Sequence, residues 1–473
     1  MRRNTYITMK GSGKNGGVAL SFEERGSVFY MLGIGSGGSR ALLEVVGRAL
    51  CVDNSSLCRK MLLRERSPFS VPLRIPGESK TWMGNYYVSY HFLDTTPEVG
   101  GLVRIDRQFI SEILREKEGL EEEKRSALEG RDHHLISRDI AQEIQGNIGA
   151  HQPHELFSFL KSKNKDELKE EIMKMLVMSE YGCADYNYIF VLFTTGGGTG
   201  SGSAPVILEL LHEVLSEIGA EYRLIAVPIL PFAQEPDVRR FFNTVFCLCK
   251  LVELARNGVI DMILMVSNEA MRKVARSWPW LEAQTSSAMV SQEYADVNLM
   301  IAELFETIAA HVSVDMDFTN IINCVKERTE TRIAVPCCFV MPDVPIYDVR
   351  SAEEEAYIAI IRAMDSKFVQ FKDNTGKTAI ASICFPESVS VTAGDMKTRI
   401  VGTIRKVWPS LLPEPYVVTE PRDRTRFLLI VGEPVLEERY LFKDYSGEPG
   451  ERKKAYESIR KTHELLRSCL GPG

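Results

Sequence analysis

The sequence lacks two features that would each assign it to a common class of protein. No apolar run approaches the roughly 18 residues of a membrane-spanning helix, and the basic start MRRNTYITMK is not followed by the apolar stretch of a signal peptide. The net charge of -7 argues against a surface built for general nucleic-acid binding. We therefore expect a cytoplasmic protein, and we predict no nucleic-acid partner.

Cysteine patterns typical of zinc sites are also missing. The chain has 10 cysteines, and the close pairs Cys247 with Cys249 and Cys337 with Cys338 have no second pair at the spacing of a zinc ligand set. We interpret the cysteines as structural thiols in a reducing compartment, and we predict no metal bound by protein side chains.

Glycine, in contrast, is concentrated at two places in a chain of ordinary globular composition. Of the 473 residues, 44% are hydrophobic and 26% are charged, and this length is sufficient for two or three domains. The denser glycine cluster is GGGTGSG, residues 196–202, with five glycines in seven positions. The preceding YIFVLF is typical of a buried parallel strand, and apolar residues recur at helical spacing after the loop.

A glycine loop between a strand and a helix presents backbone N–H groups and the positive end of the helix dipole to an anion. We therefore interpret GGGTGSG as a phosphate cradle, to which Thr194, Thr195, Thr199 and Ser201 add hydroxyl donors. A flexible Gly/Ser linker is the alternative, although linkers join domains and do not connect a buried strand to its helix.

The second glycine cluster lies upstream in MLGIGSGGSRALLEVV. Gly33, Gly35 and Gly38 form G-x-G-x-x-G between a predicted strand and a predicted helix. A further strand is predicted over 49–52, and Asp53 after it lies about 20 positions from Gly33, where a dinucleotide-binding fold keeps its ribose acid. Taken alone, this pattern favours a nicotinamide-dependent enzyme. Two cradles on one sheet favour instead a nucleotide whose phosphates are held from two sides.

GGGTGSG resembles the signature loop of the tubulin/FtsZ superfamily of GTPases, and the upstream turn resembles that family's first phosphate loop. AVPILPFAQEPDVRRFF is similar to the strand and ribose loop of FtsZ, and LMVSNEAM to the strand end that carries a guanine-binding asparagine. YADVNLM is more similar to tubulin. The resemblance extends in order from about residue 28 to about residue 339 and is weak between 54 and 145.

The resemblance implies bound GTP or GDP with Mg²⁺. It implies that Glu235 and Arg239 hold the sugar, that Asn268 binds guanine, and that Tyr294 stacks on the base while Asn298 contacts its edge. An amide carries both a donor and an acceptor and so suits the mixed edge of guanine, whereas an ordinary helix aromatic is the alternative for Tyr294. The other implied nucleotide-binding residues are Gly33, Gly35, Ser36, Gly37, Gly38, Asp53, Gly149, Ala150, Gly196, Gly197, Gly198, Thr199, Gly200, Ser201 and Gly202.

The resemblance also implies a catalytic loop after a predicted central helix, 291–314. In that family, the loop supplies acids to the nucleotide on the next subunit of a filament. The candidate catalytic residues here are Asp315, Asp317 and Asn320, where FtsZ has an asparagine, an aspartate and a second acid. An amide cannot accept a proton from water as a carboxylate does. We therefore expect slow hydrolysis, or hydrolysis that needs a partner subunit; without the resemblance, these acids would be interpreted as solvated surface.

The predicted organisation is a flexible N-terminal extension over 1–27, a GTP-binding domain over 28–290 with a charged helical insertion at about 55–145, the central helix, a C-terminal domain over 315–435 and a tail over 436–473. The third phosphate-facing loop is assigned to GNIGAHQP, 146–153, with TTPEVGG, 95–101, as the alternative. Within the insertion, the charge-rich run EILREKEGLEEEKRSALEGRDHH, 112–134, is interpreted as a solvated helix or an interaction arm. The tail helix either packs on the protein or docks a related subunit or membrane adaptor.

The predicted fold is α/β: an N-terminal Rossmann-like parallel-sheet GTPase domain, a long central helix and a smaller C-terminal α+β domain. The predicted function is that of a GTP-binding cytoskeletal protein that polymerises head to tail and hydrolyses GTP slowly at a site shared between subunits, because heterologous contacts that do not close give open polymers. The alternatives are a non-polymerising or non-hydrolysing GTP switch in membrane remodelling, and an NAD-dependent enzyme.

Overall fold

The computed structural model describes residues 27–50, 86–94, 133–135, 153–162, 165–178, 187–235, 237–277, 289–311, 318–340, 349–385, 393–418 and 425–471. The strands in these ranges are β1 (Ser27–Ile34), β2 (Tyr86–Asp94), β3 (His133–Leu135), β4 (Asn187–Thr194), β5 (Arg223–Leu230), β6 (Met262–Leu264), β7 (Val266–Ser267), β8 (Ile333–Val340), β9 (Thr378–Cys384), β10 (Pro413–Val418) and β11 (Arg426–Gly432). The helices are α1 (Gly35–Leu50), α2 (Pro153–Ser162), α3 (Lys165–Met178), α4 (Gly198–Glu217), α5 (Arg239–Arg256), α6 (Asn268–Ser277), α7 (Met289–His311), α8 (Phe318–Arg328), α9 (Val349–Asp365), α10 (Ala393–Val407) and α11 (Gly450–Leu470), with a 3₁₀ helix at Arg439–Phe442.

The described strands form one continuous sheet in the order β3, β2, β1, β4, β5, β6, β8, β11, β9, β10, with β7 also paired to β5. All pairings from β3 to β8 are parallel, whereas β11 runs antiparallel to both β8 and β9. Every residue of β8 is buried, as expected for a strand covered by helices on both faces. The predicted α/β fold with a parallel-dominated sheet is confirmed.

Strand β4 lies in the middle of the sheet and organises the core. Its residue Phe190 packs edge-on against Phe29 of β1, with ring centroids 5.4 Å apart, and against Phe305 of the central helix α7, at 5.1 Å. Edge-to-face aromatic pairs stabilise a core beyond the area that they bury. These contacts hold β4, and the glycine loop that follows it, in a fixed position.

The strand predicted over 49–52 is wrong at its start, because Ala49 and Leu50 belong to α1. Alanine and leucine are both strong helix formers, and the helix continues through them. Residues 51–53, with the predicted ribose acid Asp53, lie outside the described residues. The strand that pairs with β1 on this side is β2, and it ends at Asp94.

The predicted insertion at about 55–145 contributes β2 and β3 to the main sheet. These two segments are therefore strands, and the prediction of a helical insertion is wrong for them. Of the charge-rich run predicted as a solvated helix, 112–134, only His133 and His134 are described, and they belong to β3. A strand paired in parallel to the first strand of the sheet belongs to the core architecture of the fold. The rest of the insertion lies outside the described residues.

The two halves of the chain share the sheet, because β8 pairs with β6 through Ile333 and Ile263. The hydrophobic patterns of TRIAVPCCFVMP, KTAIASICFP and RFLLIVG predict three strands, and residues 353–364 a helix. These segments correspond to β8, β9, β11 and α9. A buried charge cluster also links the halves: Arg426 of β11 contacts Glu306 of α7 at 3.1 Å and Glu303 at 3.7 Å. A buried charge needs such partners, because its desolvation is otherwise costly.

The sequence leaves two interpretations for the tail helix, α11: packing on the protein or docking of a partner. In the structure, its apolar face packs on the protein. Ile459, Leu466 and Leu470 are buried, and Thr462 donates a hydrogen bond to Glu253 of α5 at 2.9 Å. His463 bonds to the carbonyl oxygen of Leu441 at 2.7 Å. This apolar face is therefore unavailable to a partner or to a membrane. Across the described ranges, no helix is sufficiently long and apolar to span a membrane.

Candidate functional site

The first glycine turn connects β1 to α1 and packs against the end of β4. Gly35 has φ +66°, a left-handed conformation that favours glycine. A Cβ at Gly38 would overlap the backbone of Leu192, and one at Gly37 would overlap the side chain of Thr194. The glycines therefore let the N-terminus of α1 approach the carboxyl end of β4 closely, while the exposed Ser36 is left at the surface of the turn.

The GGGTGSG loop follows β4 and becomes the first turns of α4. Gly196 and Gly197 lie in the loop, and Gly198, Thr199, Gly200, Ser201 and Gly202 lie in the helix. A Cβ at Gly200 would lie 2.5 Å from the carbonyl oxygen of Thr194, and one at Gly202 would lie 2.7 Å from that of Pro153. Asn243 of α5 donates a hydrogen bond to the carbonyl oxygen of Gly196 at 3.0 Å. The loop is thus held by packing and by hydrogen bonds.

Two of the predicted hydroxyl donors are used inside the protein. Thr195 is buried and donates to the carbonyl oxygen of Ile229 at 3.1 Å. Ser201 donates to the carbonyl oxygen of Gly197 within its own helix. Their predicted role as donors to a ligand is therefore wrong in this structure, because a hydroxyl carries only one proton to donate. Thr194 does line the candidate cavity described next.

A cavity of about 310 Å³ lies where the two glycine turns meet, at the carboxyl ends of the parallel strands, where open α/β sheets bind ligands. Its volume is within the range of small-molecule sites. It brings together predicted site residues that lie far apart in the sequence. The lining residues are Gly37, Arg40, Thr194, Gly196, Gly197, Ile229, Pro231, Glu235, Arg240, Asn268 and Asn298.

The two predicted guanine-binding asparagines line the same cavity from different helices. Asn268 is the first residue of α6 and is 5% exposed, whereas Asn298 is half-buried on α7. Tyr294 lies one turn before Asn298 on α7, and its side chain lies outside the described atoms. Amide groups on two sides of one cavity offer donors and acceptors to a planar polar edge.

The position of Asn268 depends on a buried contact with the C-terminal segment. Ser267, the preceding residue, donates a hydrogen bond to Glu438 at 3.1 Å. Burial raises the pKa of Glu438 from 4.5 to about 7, against the opposing effect of the Ser267 hydrogen bond. A largely buried carboxyl group favours its neutral form. Glu438 therefore gains or loses its proton near pH 7, beside Ser267, the residue that precedes Asn268 of the cavity.

The predicted sugar-binding pair is arranged differently from the sequence prediction. Glu235 forms an ion pair with Arg240 at 2.8 Å, and both residues line the cavity. Arg239 instead pairs with Asp237 at 2.8 Å and is absent from the lining. The hydrogen bond that Arg239 donates to Asp237 raises the pKa of Arg239. Both arginines follow Glu235 closely, so spacing alone does not distinguish them; the conformation of the loop does.

Asn320, the candidate catalytic residue that lies within the described ranges, is at the other end of β4 from the cavity. Asn320 is exposed on α8, and the neighbouring Thr319 forms a hydrogen bond with Tyr188, near the start of β4, at 3.1 Å. At about 3.3 Å per residue, the eight residues of β4 separate the two ends by roughly 25 Å. Asp315 and Asp317 lie outside the described residues, as do Gly149 and Ala150 of the predicted third loop.

Several residues at this edge of the sheet carry no prediction from the sequence. Arg40 and Arg240 line the cavity, and Asp94 ends the strand β2 next to the first glycine turn. Asp94 is the residue that the sequence could have identified most easily as a site candidate. It is an acid at the carboxyl end of an apolar parallel strand, where ligands of such sheets bind. Arg40 lies three residues after Gly37 on α1, and no sequence motif identifies it as a site residue.

Comparisons with known proteins match part of this chain to a known family. Residues 107–276 match the model of the Tubulin/FtsZ family, GTPase domain. The resemblance to the tubulin/FtsZ superfamily is confirmed. The matched GTPase domain contains the GGGTGSG loop, Glu235 and Asn268, whereas the first glycine turn lies before it.

The tubulin/FtsZ relatives are distant in sequence. The Tubulin-like protein CetZ of Pyrococcus horikoshii is 24% identical over 152 residues, which are 32% of this chain and 36% of the relative. The chain thus spans about a third of the length of the first curated relatives that it matches. Cell division protein FtsZ 2 of Pyrococcus furiosus is 22% identical over 305 residues, which are 57% of this chain and 67% of the relative.

Solved structures of tubulin/FtsZ proteins share the fold over nearly the whole chain. CetZ2 from Haloferax volcanii, described as a GTPgS-bound protofilament, has a TM-score of 0.54 and 15% identity, and covers 93% of this chain and 99% of its own. CetZ1 from the same organism, described as a GDP-bound monomer, has a TM-score of 0.54 and 15% identity, with 92% and 99% covered. At this identity, the likeness concerns the fold alone.

Proposed function

We propose that this chain is a GTP-binding cytoskeletal protein of the tubulin/FtsZ type that polymerises head to tail and hydrolyses GTP slowly at a site shared between subunits. The observation that carries the proposal is the separation of the cavity from Asn320 across β4. Roughly 25 Å of strand lies between them, so the catalytic loop of one copy reaches a nucleotide only on another copy. The description of CetZ2 as a protofilament supports the same arrangement.

In this proposal, the phosphates of GTP lie against the N-termini of α1 and α4. Both termini present free backbone N–H groups, and the glycines at Gly37, Gly196 and Gly197 let phosphate oxygens approach them. Asn268 and Asn298 bind the guanine edge, and Glu235, held by Arg240, accepts hydrogen bonds from the ribose hydroxyls. The nucleotides in the descriptions of CetZ2 and CetZ1, GTPgS and GDP, support GTP and GDP as the ligands.

Mg²⁺ enters the proposal as a companion of the nucleotide. Within the described ranges, no group of three acidic, histidine or cysteine side chains is placed to hold a metal. The one carboxylate among the described lining residues, Glu235, is already paired with Arg240. Mg²⁺ is commonly held by substrate phosphates and water with few protein ligands, and it would supply charge neutralisation on the phosphates.

Hydrolysis in this proposal needs a water molecule oriented towards the terminal phosphate. Asp317 of the adjacent subunit orients that water as a carboxylate acceptor, with Asp315 as a second acid. Asn320 takes the position at which FtsZ has an acid, and its amide does not accept the proton of the water. We therefore propose slow turnover of GTP to GDP and phosphate, in filaments that lie in the cytoplasm.

The test is phosphate release from GTP measured against protein concentration, with electron microscopy of the same samples. We expect specific activity to rise steeply above a threshold concentration at which filaments appear, because each active site needs two subunits. Activity per molecule that stays constant from dilute to concentrated samples would contradict the shared site. Turnover without filaments at any concentration would contradict the assembly.

The amide at Asn320 specifically favours a second candidate, a GTP-binding switch that does not hydrolyse, with a role in membrane remodelling. GTP that binds without turnover or filaments at any concentration would support this candidate over the first. The variant Asn320→Asp separates the two further. A gain of turnover in that variant, together with filaments, shows that only the missing acid limits the native chain.

A further inference from the structure

Arg40 lines the proposed nucleotide cavity from α1, whereas Arg240, the partner of Glu235, lines it from α5. Arg40 lies on α1, one turn after Gly37, so the two residues share a face of the helix. The core-facing residues of the same helix are Ala41, Leu42 and Val45, all buried. Arg40 itself is exposed. Its side chain therefore projects from the packed body of α1 to the cavity.

The guanidinium of Arg40 has no charged or hydrogen-bonding partner in the described part of the chain. Three of the lining residues are charged, and two of them, Glu235 and Arg240, neutralise each other at 2.8 Å. The described lining therefore carries one uncompensated positive charge. A guanidinium presents five N–H donors in a planar fork that matches phosphate oxygens.

The backbone that carries Arg40 is held in a fixed position. Ser39, the preceding residue, donates a hydrogen bond to the carbonyl oxygen of Gly33 at 3.3 Å, and Gly38 packs directly against the backbone of Leu192. A charge on such a support needs little reorganisation when a ligand binds, which preserves binding free energy. An exposed arginine on a mobile segment would not have this property.

We propose that Arg40 binds the phosphate chain of the nucleotide and is a specificity-determining residue for nucleotides over nucleosides. This inference depends on the proposed GTP site. The free charge of Arg40 complements the phosphates, and its position after Gly37 places it beside the N-terminus of α1, where the backbone already favours an anion. The asparagines, in contrast, bind the base, which is common to guanosine and GTP.

The experiment is isothermal titration of guanosine, GDP and GTP into the full chain, for the wild type, Arg40→Ala and Arg40→Lys, at low ionic strength. Charge-assisted hydrogen bonds to phosphate are strong, but an exposed arginine is partly screened, so we expect Arg40→Ala to weaken GDP and GTP about tenfold. Guanosine affinity stays unchanged. Arg40→Lys restores part of the loss, since it keeps the charge without the planar fork.

Arg362 provides a matched control, because it is an exposed arginine on α9 and is not among the residues that line the cavity. Arg362→Ala keeps wild-type affinity for all three ligands. Equal GTP binding by Arg40→Ala and the wild type overturns the inference and leaves the proposed function intact. An equal loss for guanosine and GTP also overturns it. A wild-type chain that binds neither GDP nor GTP overturns the proposed function and the inference together.

Discussion

Glu235 forms its 2.8 Å ion pair with Arg240 at the cavity, and the adjacent Arg239 pairs with Asp237 away from it. The chain turns between these residues in such a way that the second arginine, and not the first, meets the carboxylate. The same ion pair holds the carboxylate of Glu235 at the cavity. The two neighbouring arginines therefore offer a direct test of the site.

We expect Arg240→Ala to weaken GTP binding about five- to tenfold, or roughly 1 kcal/mol after allowance for solvent screening. Arg239→Ala should change the affinity less than twofold. The measurement is titration of GTP into the two variants side by side. A larger loss in Arg239→Ala would support the sugar-binding pair predicted from the sequence and contradict the loop conformation described above.

The tightness of the glycine loop predicts a strong effect on stability. Gly200→Ala places a Cβ 2.5 Å from the carbonyl oxygen of Thr194, a backbone atom that cannot move alone. Overpacking of this kind costs roughly 1–3 kcal/mol. Gly402→Ala on α10 is the control, because a Cβ there meets nothing within 4 Å, and it should stabilise the helix by about 0.5–1 kcal/mol. Urea denaturation of both variants measures the difference.

A site shared between subunits predicts complementation between two inactive variants. Asn268→Ala removes an asparagine from the cavity, and Asp317→Ala removes the acid that we propose to orient water. When the two variants are mixed in equal amounts and assemble head to tail, about a quarter of the contacts join an intact cavity to an intact acid. The mixture should recover phosphate release that neither variant shows alone. No recovery in mixed filaments would mean that both residues act within one chain.

The raised pKa of Glu438 predicts a dependence of stability on pH. Its folded-state pKa is about 7 against 4.5 for the ordinary group, so the folded protein keeps a proton that the unfolded chain loses. Stability from this group is fully present below about pH 4.5 and falls as the pH rises to about 7. Glu438→Gln keeps an acceptor for Ser267 and should be more stable than wild type at pH 8, by about 2–3 kcal/mol.

The advantage of Glu438→Gln should disappear towards pH 5, where the wild-type group is protonated. Glu437→Gln is the matched control, because Glu437 is the exposed neighbour. It should change the free energy of unfolding much less across the same range, because the charge of Glu437 is the weakest of the effects that set the pKa of Glu438. Thermal unfolding at several pH values measures both variants. A constant difference between Glu438→Gln and the wild type at all pH values would contradict the pKa of about 7.

Local patterns in the sequence were sufficient for the strands and helices around the glycine turns. YIFVLF is apolar without interruption and forms β4, and the helical spacing after GGGTGSG forms α4. The same is true of β8, β9 and β11. These predictions succeed because burial of both faces of a strand, or of one face of a helix, imposes a pattern on neighbouring residues. The strand prediction fails at Ala49 and Leu50, which are helical, because short apolar runs suit either structure.

The order of residues alone predicts two glycine turns that follow parallel strands and precede helices, and the resemblance to a known family predicts two asparagines and a glutamate that bind one ligand. Packing in three dimensions was needed to show that Arg240 pairs with Glu235, that Arg40 lines the cavity with no partner among the described residues, and that Asn320 lies at the far end of β4. Spacing along a chain records what is near in sequence. Loop conformation and strand order, which depend on packing across the whole sheet, determine what is near in space.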